Sequence, residues 1–210
     1  MVFLTGYTSD TRYLHTMQEL GWGRMLCERY GPPAWAGEPL GVDNGAFTAW
    51  NDARERDWRE YLEMLAVVGG YGVTPYLAVV PDKVADSDSL RFSMAWLERL
   101  SEYPWPWYLA VQDGMTVQQV ETVVPHFAGL FLGGTKRWKR ATARQWAQVA
   151  HERGLRAHYA RCSGEDDLRH AERCAYDSAD STFLLWTRGR FQEFVGWWNG
   201  KGPQGVLGYA

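Results

Sequence analysis

Cysteine is scarce in this chain: Cys27, Cys162 and Cys174 lie far apart among 210 residues and form no Cys-x-x-Cys pair. That pattern argues against a disulfide framework and a structural zinc, and it fits a reduced, cytoplasmic setting. Long apolar runs are missing too. No segment approaches the ~20 residues that a membrane span needs, and no basic region followed by an apolar one opens the sequence, so neither a membrane span nor a signal peptide is expected. Nucleotide-cofactor signatures are absent: there is no Gly-x-Gly-x-x-Gly and no Walker-type loop. The five histidines, His15, His126, His151, His158 and His170, have no metal-ligand spacing and read as surface or core residues. Neither a metal nor a cofactor is expected. Charge of one sign is not in excess either. A net charge of −3 gives no global pull toward nucleic acid, so any such binding needs a local basic patch.

What is present suits one globular domain spanning 1–210, with 200–210 a loose Gly-rich tail. Apolar residues make up 46 % and charged residues 22 %, enough for a core and against disorder. Tryptophan is abundant, with 12 copies, and can fill a core or stack on bases. Short apolar runs read as strands at Val2–Thr5, Leu40–Asp43, Tyr76–Val80, Trp107–Gln112, Leu130–Leu132, Arg156–Ala160 and Ala175–Asp177. Helical spacing lies between them: in parts of Thr11–Tyr30, then Asp52–Val68, Ser87–Leu100, Val117–Phe127, Ala141–Gly154, Asp166–Cys174 and Phe191–Trp198. This alternation predicts a parallel sheet covered by helices. About seven or eight βα units closing on themselves give a compact (β/α)₈ TIM-like barrel, with an open doubly wound sheet as the alternative.

Acids recur where those strands end: Asp43, Asp82, and Asp177 with Asp180. Each could simply cap the next helix. Several together, beside Gln112 and Gly133-Gly134, read instead as a barrel active site. One carboxylate can attack a carbon and another can carry protons. Gln112 and the glycine amides can bind a carbonyl oxygen, and a further Asp can accept N–H groups. A purine such as guanine displays that edge. A second feature follows the Gly-Gly turn: Lys136, Arg137, Trp138, Lys139 and Arg140, with Arg144 one turn on. Cations there suit phosphates and Trp138 suits a base, whereas the plain alternative is a solvated helix start. Arg188 and Arg190 add cations after the last strand.

The order of these motifs resembles the tRNA-guanine transglycosylase superfamily. Asp43-Asn-Gly-Ala-Phe-Thr48 is similar to its Asp-Ser-Gly-Gly-Phe/Tyr-Gln, and Asp82 resembles its next strand-end Asp. Val111-Gln-Asp-Gly114, Leu132-Gly-Gly134, Glu165-Asp-Asp-Leu168 and Tyr176-Asp-Ser-Ala-Asp180 resemble the motifs that follow. The resemblance implies a (β/α)₈ barrel that exchanges a guanine base through a covalent Asp–C1′ intermediate. It implies Asp180 as nucleophile and Asp43 as acid/base. Asp82 would bind the N–H edge of the base, and Gln112, Gly133 and Gly134 its carbonyl. Phe47 and Tyr159 would flank the ring. Asp177 is the competing nucleophile, or a residue of the substrate site. The Cys-rich zinc site and accessory domain of the tRNA enzymes have no counterpart here. The chain looks more like the compact branch of phages and bacteria that inserts 7-deazaguanine derivatives, such as 7-cyano-7-deazaguanine, into DNA, where the target base must be flipped out. Alternatives are a DNA glycosylase of the same superfamily, an enzyme acting on RNA, a non-catalytic nucleic-acid-binding barrel and a sugar-processing barrel.

Overall fold

A computed structural model describes residues 1–6, 8–27 and 38–200. Eight parallel strands close into a barrel in sequence order, β1 (Val2–Thr5), β2 (Gly23–Leu26), β3 (Leu40–Val42), β4 (Leu77–Val79), β5 (Trp107–Val111), β6 (Gly129–Leu132), β7 (Arg156–Tyr159) and β8 (Ser178–Ser181). The ring shuts where Leu4 pairs with Asp180 and Thr5 with Ser181. Helices α1 (Thr11–Glu19), α2 (Ala46–Asn51), α3 (Trp58–Gly70), α4 (Ser89–Arg99), α5 (Val117–Glu121), α6 (Lys136–Glu152), α7 (Glu165–Arg173) and α8 (Arg188–Asn199) run around it. The closed TIM-type barrel, rather than an open sheet, is the fold. No helix among the described residues is long and apolar enough to cross a membrane.

Side chains alternate across each strand, so one sequence supplies two cores. Leu4, Met25, Leu77, Val79, Tyr108, Ala110, Phe131 and Ala160 fill the barrel interior. Trp107, Leu109, Val111, Ala157 and Tyr159 face the helix layer. Gly129 has a steric cause: a Cβ there would sit 2.3 Å from the Tyr108 ring. At the end where the strands begin, Arg156 lies over Tyr76 at 4.5 Å and Tyr108 at 5.6 Å and closes the floor.

Two strands differ from the sequence reading. Gly23–Leu26 forms β2, not a continuation of the first helix, which stops at Glu19. Gly21 in the left-handed region (φ 65°) turns the chain there. The last strand is Ser178–Ser181, not Ala175–Asp177. Its four residues are buried although three are polar, because Ser178 and Asp180 bond to His158 inside the barrel and Ser181 bonds to the Cys162 carbonyl. Helix α6 starts at Lys136, so the basic cluster forms its first turns. The end of the expected Thr11–Tyr30 helical stretch, at 28–30, and all of the tail but Gly200 lie outside the described residues.

Candidate active site at the strand ends

The strand-end acids are not helix caps. The N-caps of α2, α4 and α8 are Gly45, Asp88 and Thr187, whereas Asp10 and Asp57 do cap, each accepting from the backbone two residues on. Asp43, Asp82 and Asp180 are thereby left at the mouth. Gly45, at φ 71°, lets the chain leave β3 and enter α2 within a few residues, which sets Asp43, Asn44 and Phe47 on one rim.

Asp82 is buried after β4. Its Oδ1 accepts from Asn44 Nδ2 at 2.6 Å, and its Oδ2 accepts from the amide of Gln112. Asn44 also donates to the Val80 carbonyl at 2.8 Å, and Gln112 Oε1 accepts from the Ala85 N–H at 3.1 Å. Burial pushes the Asp82 carboxyl up to about 6, against the opposing pull of Asn44 and Arg161. Gln112 is therefore a clamp on Asp82, not a group left open for a ligand carbonyl. Gly133 is also engaged, its N–H donating to Val111 at 2.9 Å. Gly134 is required at its position: at φ +75°, an added Cβ would meet Asp113 at 2.4 Å.

Asp180 projects inward from β8. Its Oδ1 accepts from His158 Nε2 at 2.9 Å and from the Arg161 N–H at 2.9 Å. His158 Nδ1 meets Ser178 Oγ at 2.8 Å. If the Ser178 hydroxyl donates to Nδ1, the neutral ring carries its proton on Nε2 and donates it to Asp180. Phe131 stacks on His158, with centroids 4.9 Å apart and planes 9° from parallel.

Arg161 joins these parts. It follows β7 with φ 53°, a left-handed backbone that aims its side chain across the mouth. Its guanidinium carbon lies 3.4 Å from the Phe47 ring centroid, and Nη2 donates to the Gly134 carbonyl at 2.8 Å. Burial lowers its pKa, while Asp180, Asp43, Asp82 and Asp113 act on it in the opposite sense. Beneath it lies a recess of about 20 Å³ bordered by Asp43, Asp82, Gln112, Phe131 and Gly133. Outside it lies a cavity of about 250 Å³ bordered by Trp50, Ala85, Asp113, Thr135, Lys136 and Asp167. Phe47, Val84, Gly134 and Arg161 border both.

Several expected site residues lie elsewhere. Tyr159 faces the helix layer, packed on Tyr176 and under Lys139, because its position in β7 points outward. Asp177 precedes β8 at the opposite end of the barrel, where it accepts from the Ala157 N–H at 2.7 Å and meets His151 at 3.0 Å. It is neither a nucleophile nor a substrate ligand in this geometry. Lys139 is buried and donates to the carbonyls of Ala160 and Arg161, and burial lowers its pKa to about 8. Arg140 is paired with buried Asp167 at 2.7 Å. Burial alone would raise the Asp167 carboxyl, but Ser163 and Arg140 hold it well below the ordinary range. Trp138 is half-buried, 6.1 Å from Trp146 between centroids. Exposed Arg144 acts on Cys174, below the mouth. Lys136 reaches Ser163 at 2.6 Å on the cavity wall, and Arg137 is exposed at the helix start. Arg188 borders a groove between α1 and α8, and Arg190 lies over exposed Trp186 at 5.1 Å. The basic cluster thus divides into structural ties and a few exposed cations.

The sequence reading gave no role to Arg161, His158, Ser178 or Asn44. Arg161 had a usable signal, since it directly follows a predicted strand, the position already flagged for the acids.

No family model and no curated protein matches the sequence. Solved structures share the fold. A native KDPGal structure is similar at TM-score 0.57 and 11 % identity, over 93 % of this chain and 91 % of its own. A dihydrodipicolinate synthase family protein from Coccidioides immitis is similar at TM-score 0.56 and 14 % identity, over 98 % of this chain and 76 % of its own. Tryptophan synthase from M. tuberculosis, in an aminoacrylate-bound form, is similar at TM-score 0.52 and 12 % identity, over 93 % and 91 %. At these identities the likeness extends to the barrel and no further.

Proposed function

We propose that this protein is a base-exchange enzyme, a pentosyltransferase that replaces guanine in DNA with a 7-deazaguanine derivative. The observation that carries the reading is the meeting of three acids at Arg161: Asp43 and Asp82 border one recess with it, and Asp180 accepts from its N–H at 2.9 Å. Both described bonds to Asp180 go to Oδ1, so Oδ2 is the atom assigned to attack. Attack on C1′ of a flipped deoxynucleoside forms an ester to Asp180 and breaks the bond from C1′ to N9. The electron pair leaves with the base, and Asp43 as an acid supplies the proton. Asp43 as a carboxylate then takes a proton from the incoming base, whose nitrogen attacks C1′ and releases Asp180. A carboxylate beside an oxocarbenium-like centre stabilises the transition state, as in retaining glycosidases. Asp82, fixed by Asn44 and Gln112, would accept N–H groups of the base through its remaining lone pairs. Exposed Arg137, Arg188 and Arg190, with Trp186, supply phosphate and stacking contacts near the mouth.

Hydrolysis is the second reading. A recess of about 20 Å³ is the size of one water, which would open the same ester and leave an abasic site. The test is to incubate the protein with guanine-containing DNA and labelled 7-cyano-7-deazaguanine, then digest any trapped protein–DNA adduct and map its peptide. Label in DNA with an adduct on Asp180 is the expected result. Alkali-labile sites without added base would select hydrolysis. DNA that gains neither label, adduct nor abasic sites would leave the reading without support.

A further inference from the structure

We propose that Arg161 is an internal occupant of the ligand slot, and that a planar ring reaches the acids only by displacing its guanidinium from Phe47. Three observations meet on this side chain. It is a flat group stacked at 3.4 Å on an aromatic face, the arrangement a bound ring would adopt. It donates to the Gly134 carbonyl at 2.8 Å among carboxylates that suit N–H donors. It also borders both the inner recess of about 20 Å³ and the outer cavity of about 250 Å³, so it separates a space too small for any ring from one large enough.

The chemistry of the occupant describes its replacement. A guanidinium is one carbon joined to three nitrogens. The 2-amino edge of a purine or a 2-aminopyrimidinone carries the same fork, with N–H donors in one plane. A ring with that fork can take over the face of Phe47 and donate to the Gly134 carbonyl, whereas a ring without it leaves that carbonyl without the donor that Arg161 supplied. The cavity outside gives the displaced side chain somewhere to go. Placement of the ring in this slot rests on the base-exchange reading, but displacement of Arg161 does not require turnover.

The test is calorimetric titration of the full chain, without DNA, using 2-amino-4-pyrimidinone and, as the ring lacking the fork, uracil. If closure by Arg161 holds about nine molecules in ten, removing it tightens binding about tenfold. Arg161→Ala should bind the aminopyrimidinone about tenfold more tightly than the unaltered protein and should not gain for uracil. Arg161→Lys keeps a charge without a planar fork and should gain similarly, so it decides the matter if the alanine variant fails to fold. Phe47→Leu should weaken binding in either background. Equal or weaker binding in a folded Arg161 variant would overturn the proposal and make Arg161 a ligand contact. An equal gain for uracil, or no binding to the opened slot, would overturn it too. DNA labelling that succeeds without any gain on opening would sink the plug alone. A gain without DNA labelling would leave the plug standing and the exchange reaction unsupported.

Discussion

His158 Nε2 stands 2.9 Å from Asp180 Oδ1, inside a barrel wall where both side chains are buried, and Ser178 holds the far nitrogen of the same ring at 2.8 Å. A carboxylate on a four-residue strand is thereby fixed from one side only. If Asp180 is the nucleophile, as proposed, the pair makes His158 its positioning residue. Replacing His158 with Phe should lower kcat about 10- to 100-fold with little change in KM, since the interaction matters in the transition state more than in ground-state binding. Ser178→Ala should cost about fivefold, the worth of one neutral hydrogen bond. Single-turnover measurements with flipped-base DNA would check both, and a change confined to KM would refute the positioning role.

Asp82 gives a pH dependence. Its carboxyl titrates near 6 in the folded protein because burial disfavours the charged form. Ring N–H groups need the carboxylate, so binding of the aminopyrimidinone should rise with pH through about 6 and then level. Stability should move the other way. The native form retains a proton that the unfolded chain has released, so this group's contribution is full below the ordinary aspartate pKa near 4 and is lost as pH rises through about 6. Asp82→Asn should remove that step from the melting-temperature profile between about pH 4 and about pH 7.

Gly134→Ala tests the mouth's backbone. The added Cβ meets Asp113 at 2.4 Å and Trp138 at 2.9 Å, at a φ of +75° that side chains rarely adopt. A loss of about 1–3 kcal/mol is expected, seen as a melting point lower by roughly 2–10 °C. Because the Gly134 carbonyl also holds Arg161, the variant should alter ring binding as well.

Arg137 and Arg188 are exposed cations with no ion pair among the described residues. If they meet phosphates, each replacement by Ala should reduce the slope of log binding constant against log salt by about 1 and weaken binding evenly across sequences. Lys139→Met should act differently. It removes a buried tie to the Ala160 and Arg161 carbonyls, so it should lower the melting point without changing the salt slope.

The alternation of helical and strand patterns identified a parallel α/β chain, and Asp43, Asp82 and Asp180 were visible as acids at strand ends. Short-range pattern suffices for this because β5 and β6 are apolar runs bounded by turns. It failed at β8, whose polar residues are satisfied by His158 and Cys162 from distant parts of the chain, and at β2, which follows a helix after a single glycine turn.

What the sequence by itself determined is which groups are available and that parallel strands alternating with helices carry them. Only the tertiary structure decided their use. Strand parity sent Tyr159 outward and His158 inward, and the direction of β8 put Asp177 at the floor and Asp180 at the mouth. The fold also brought Gln112 onto Asp82 and Arg161 onto Phe47. Partner choice in a closed barrel depends on register between strands far apart in the chain, which no local pattern encodes.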